Sequence, residues 1–66
     1  MSNAKYDWIQ KKVDNALQNW GEADYEWSQD PTNEVLEYQA ERMRKRYLQT
    51  CYAYGVEPVE GAVREF

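Results

Sequence analysis

The Asp30-Pro31 pair, near the middle of this 66-residue chain, constrains its folding more than any other local feature. Asp30 can accept hydrogen bonds from the free N–H groups at a helix start. Proline suits the first helical turn, where its missing donor would have no partner in any case. The pair therefore predicts that one helix ends before residue 30 and a second begins at 31. A link this short between two amphipathic helices makes an antiparallel hairpin.

Both halves carry the required stripe. Tyr6, Ile9, Val13, Ala16 and Trp20 follow one another at +3, +4, +3 and +4, with Leu17 alongside. Asp7, Lys11, Asp14, Asn15 and Gln18 occupy the other side, as expected for a helix with one buried face. Ser2 or Asn3 can cap its start. Gly21 is either its stop or an interior glycine costing about 1 kcal/mol. Because the spacing continues through Ala23 to Trp27, the expectation is a helix over about 3–29, with a kink at Gly21. The second helix is expected over about 31–54, stopped by Gly55, with Leu36, Ala40, Met43, Tyr47, Cys51 and Tyr54 inward. In the tail, 55–66, Val59, Ala62, Val63 and Phe66 would share one side of a two-turn helix that folds back on the hairpin or on a neighbouring chain. The fold class is all-α, a single helical domain over 1–66.

A chain this short buries little apolar surface, and small folds usually rely on disulfides, a metal or a partner chain. Cys51 is the sole cysteine and histidine is absent, so an internal disulfide and histidine-containing metal sets are excluded. Assembly into a homo-oligomer is the expected remedy. No basic segment leads an apolar run and no stretch is apolar enough to span a bilayer, so the expected setting is cytoplasmic, with no membrane partner. The missing histidine, the absence of a nucleophile motif around Ser2 or Ser28, and the lack of a glycine-rich phosphate loop argue against an enzyme. No cofactor or metal is expected.

Charge is distributed unevenly. Residues 21–41 hold seven acids and no base, while 42–54 hold Arg42, Arg44, Lys45 and Arg46 and no acid. The helix macrodipole favours part of this pattern, and Glu41 can pair with Lys45 at i,i+4. Seven uncompensated acids exceed that need. In a hairpin they gather at the loop end, and Glu22, Asp24, Glu26 and Asp30 form a candidate acidic face for a basic surface. At the other end, Tyr38, Arg42, Lys45, Gln49 and Tyr52 recur at +4, +3, +4 and +3 opposite the inner stripe. Trp8 and Lys12 likewise fall outside the first helix's stripe. Aromatic and arginine side chains are enriched where proteins bind one another, which makes these seven residues the candidate partner- or ligand-binding set. Trp20 and Trp27 belong to the core, as does Cys51.

Direct nucleic-acid binding is disfavoured, because a recognition helix would bring Glu34, Glu37 and Glu41 against phosphates. The expected function is that of a non-catalytic helical interaction protein. It would be a small inhibitor or adaptor, of a kind common in phage, that binds and blocks a macromolecular target through its acidic and aromatic/basic faces. The alternative is an oligomer that sequesters a small anionic ligand such as a nucleotide between protomers, with aromatic stacking and Lys12, Arg42 or Lys45 on the phosphate.

Overall fold

The computed structural model describes residues 4–62, with side chains from Tyr6 onward. Two helices, α1 (Ala4–Gln29) and α2 (Glu34–Ala53), pack antiparallel into a rod with extents of 49 × 23 × 15 Å. α1 passes through Gly21 as helix. The expected Ser2 or Asn3 cap lies outside the described residues.

The turn departs from expectation. α2 starts at Glu34, three residues after Pro31, and its cap is Asn33. The Asn33 Oδ1 accepts from the N–H groups of Val35 (3.0 Å) and Leu36 (3.3 Å), satisfying two orphan donors. Asp30 closes the loop instead: its carbonyl accepts from the Asn33 N–H at 3.0 Å, and its carboxylate from the Asn33 Nδ2 at 3.2 Å. Pro31 thus takes the second position of a β-turn, the other place where its fixed φ is favourable. Asparagine at 33 matches the cap role equally well, and the turn places it where the two donors are.

α2 ends as its glycine predicts. Gly55 has φ 68°, its N–H donates to the Tyr52 carbonyl (3.4 Å), and the Val56 N–H donates to the Cys51 carbonyl (2.8 Å). This is a Schellman stop, and Val56 packs onto the core cluster beyond it.

Val13, Tyr47, Cys51 and Ala62 form the buried centre, with Ile9, Ala16, Leu17, Trp20, Leu48 and Val56 half-buried around it. Trp20 stacks on Tyr47 with ring centroids 5.8 Å apart. Tyr6, expected on the inner stripe, is instead 70% exposed. α1 has 26 residues against 20 in α2, so its first turns reach past the end of α2 and Tyr6 has no helix opposite.

The tail folds back on the hairpin, but its described part is not helical. Residues 56–59 are irregular, followed by a turn in which the Ala62 N–H donates to the Val59 carbonyl at 3.2 Å, with Gly61 at φ 92°. Ala62 is fully buried while Val59 is exposed, so these two do not share a side; Val63 and Phe66 lie outside the described residues. Two polar contacts hold the tail. The Arg44 Nη1 donates to the Ala62 carbonyl at 2.8 Å, and the Val59 N–H donates to the Tyr47 hydroxyl at 3.0 Å. Arg44, read in the sequence as part of an exposed basic run, is buried between them. Its other nitrogens donate to the Glu41 carboxylate at 2.8 and 3.2 Å. Glu41 is therefore bound to Arg44 at i+3.

Candidate interaction surfaces

The rotation of α2 that buries Ala40, Tyr47 and Cys51 turns Tyr38, Arg42, Lys45, Gln49 and Tyr52 outward, and all five are exposed. Tyr38 and Tyr52 are 67% and 63% exposed, each at one end of a cationic centre. Val35, 62% exposed, extends the same +3/+4 stripe by one step. Its aliphatic character off the inner stripe, beside the inward Leu36, is a signal that sequence reading passed over. Arg42, Lys45 and Gln49 also line an open groove with Arg46, Thr50, Ala53 and Tyr54. No acid lines that groove. Arg46 joins the set because it stands one turn from Arg42, whereas Arg44 leaves it for the tail.

Trp8 and Lys12 are not on this outer face. Trp8 meets Tyr54 edge-to-face, with centroids 5.6 Å apart at 84°, and the Lys12 Nζ stands 5.5 Å above the Trp8 ring. Through Tyr54 they adjoin one end of the groove. Tyr54, assigned from the sequence to the inner stripe, is half-buried and joins the two groups.

The four acids expected to form one face are all exposed but divided. Glu22 and Glu26, four residues apart, line one flank together with Asn19, Ala23, Gln39, Arg42 and Met43. Asp24 lies two residues from each, on the far side of the helix. Asp30 is occupied with the turn. Among the described residues no group of His, Cys, Asp or Glu is placed to hold a metal ion, and no helix is long and apolar enough to cross a membrane.

The buried hydroxyl and thiol sit side by side. Desolvation raises the Tyr47 hydroxyl above its ordinary value, partly opposed by the Val59 N–H that it accepts. Cys51 is completely covered. Neither is open to a substrate. The Arg44 guanidinium is raised further by its hydrogen bonds to Glu41, against the opposing effect of burial.

No family model, curated protein or solved structure matches this chain.

Proposed function

We propose that this chain is a non-catalytic interaction protein, an adaptor or inhibitor that docks on a macromolecular target through the outer face of α2. The observation that carries this reading is the stripe Val35, Tyr38, Arg42, Lys45, Gln49 and Tyr52, exposed along the helix and not used in the packing of the hairpin. Tyrosines give large contact area with few rotatable bonds, and arginine adds directional charge. The complementary partner is a helix or ridge with apolar positions opposite the two tyrosine ends and acids opposite Arg42 and Lys45. Binding blocks or bridges the target by occupancy. The acidic end around Glu22 and Glu26 is a second contact, for a basic surface. The test is crosslinking capture with the wild-type chain and with a Tyr38→Ala, Lys45→Glu, Tyr52→Ala variant of unchanged helicity. A target retained by the first and lost by the second is the expected result. Equal capture by both would discard the face.

A second reading has its own support: Trp8, Lys12 and Tyr54 adjoin the cationic groove. A nucleotide-sized anion would stack on Trp8 and place phosphate near Arg42 and Lys45. Titration with ATP should then change the tryptophan fluorescence, and Trp8→Phe should abolish that change. A flat titration would dismiss the nucleotide.

A further inference from the structure

The outer face of α2 is polarised along its length. Glu34, Glu37 and Glu41 share a concavity with Tyr38 near the start of the helix. Arg42, Lys45 and Arg46 line the groove toward its end. The exposed Tyr38 and Tyr52 stand 14 residues apart, about 21 Å at 1.5 Å per residue. An aromatic ring therefore sits near each end, acidic at one and basic at the other.

Most of these charges are not neutralised within the hairpin. Glu41 is paired with Arg44. Among the described residues, the side chains of Glu34, Glu37, Lys45 and Arg46 enter no ion pair or hydrogen bond, and all four are exposed. Arg42 also borders Glu22 and Glu26 of α1, so Lys45 and Arg46 carry the positive end of the face.

A partner helix obeys the same macrodipole rule that favours this pattern in α2: acids are stabilised in its first turns and bases in its last. Laid parallel on α2, such a helix sets acids against Glu34 and Glu37, and bases against Lys45 and Arg46. Laid antiparallel, it meets the opposite charge at both ends. We infer that the occupant of this face is an amphipathic helix of a partner protein, about four turns long and bound antiparallel to α2. Its apolar stripe covers Val35, Tyr38 and Tyr52. Its N-terminal acids pair with Lys45 and Arg46, and its C-terminal bases with Glu34 and Glu37. Such a helix presents apolar residues at the +3/+4 spacing of the face itself. A strand of uniform charge, such as a nucleic-acid backbone, meets the wrong sign at one end. This inference rests on the docking role proposed for the outer face, and adds the class and direction of the partner.

Selection from a phage-displayed library tests it. Each displayed peptide is 18 residues long, with a fixed leucine stripe and Glu or Lys at random at the flanking positions. The full chain is the bait, and its Tyr38→Ala, Lys45→Glu, Tyr52→Ala variant, with helicity checked by circular dichroism, is the counter-bait. Clones enriched on the wild type over the variant are expected to carry Glu in the first half and Lys in the second. A stapled helical peptide of that pattern should bind at least tenfold tighter than a stapled peptide with the two halves exchanged, and added salt should shrink the difference. Enrichment of the exchanged pattern, or of no charge pattern, would overturn the antiparallel assignment while leaving the face in use. Clones that bind bait and counter-bait alike, or no clones at all, overturn the helical partner; crosslinking capture then decides the face, since it presumes no helix. Should the triple variant lose its helicity, Lys45→Glu alone serves as counter-bait with the same outcomes.

Discussion

At the scale of single residues, Arg44 and Tyr47 do most to shape the molecule. Arg44 spans α2 and the tail, giving Glu41 two hydrogen bonds and the Ala62 carbonyl one. Replacing it with methionine keeps the stem and leaves the carbonyl and carboxylate without that partner. A hydrogen bond to a charged group contributes about 1.5–3 kcal/mol, and about 1 kcal/mol moves the melting temperature of a domain this small by roughly 4–8 °C. Arg44→Met should therefore lower it by about 10 °C or more in a thermal melt followed by circular dichroism; a shift below about 3 °C would mean that the guanidinium is dispensable. Tyr47 yields a pH prediction. Its folded-state pKa lies above the unfolded value, with desolvation as the leading cause. Its contribution is then fully present below about pH 10 and is lost as pH rises above that, because the unfolded chain releases this proton first. Tyr47→Phe should flatten the stability loss above pH 10, while costing stability at neutral pH through the unpaired Val59 N–H. An unchanged alkaline slope would remove Tyr47 as its source.

At the scale of elements, the two helices test different parts of the local code. Gly21 lies inside α1, and a Cβ built there meets nothing within 4 Å. Alanine restricts the unfolded backbone more than glycine does, which is worth about 0.5–1 kcal/mol at a compatible helical site. Gly21→Ala should raise the melting temperature by about 2–8 °C, and a fall would imply a conformational need for glycine. At the start of α2, Asn33→Ala removes an acceptor shared by two N–H groups and should cost about 1 kcal/mol, while Asp30→Ala disturbs the turn alone. Equal losses from both substitutions would return the cap role to Asp30. The tail shows why short apolar spacing is a weak helix signal. A two-turn helix has too few internal hydrogen bonds to offset its nucleation cost, and in the described part of the tail the Val59 N–H and the Ala62 carbonyl are satisfied by the Tyr47 and Arg44 side chains of α2.

At the scale of the whole molecule, the hairpin is a rod with most of its acids at the loop end and an exposed cationic groove toward the other. The described part of the tail closes the side that carries Arg44 and Tyr47. Cys51 reports on that closure, since it lies fully buried beside Tyr47, Val13 and Ala62. In the intact chain its reaction with a thiol reagent such as DTNB should be slow and limited by opening of the structure. Arg44→Met should accelerate that reaction by about tenfold or more, for a loss of 1.4 kcal/mol or above. Fast labelling of the wild type would show that the tail does not seal the core.

The helical stripes apart from Tyr6, a break close to residue 30, the glycine stop and the outward Tyr38–Tyr52 ribbon were legible in the sequence, while the start of α2 at Glu34 was not. Each depends on spacing along one helix, and the 3.6-residue period converts spacing directly into direction. Contacts between segments were not legible in that way. Nothing in the Arg42-Met43-Arg44-Lys45-Arg46 run distinguishes the one arginine that turns inward to hold the Ala62 carbonyl. Trp8 and Tyr54, 46 residues apart in the chain, meet only because of the register between α1 and α2. Which residue caps α2 depended on competition between two good candidates, and the closed turn resolved it. Local propensity set the two helices. Their register and the path of the tail decided which charges were neutralised inside and which remained on the surface.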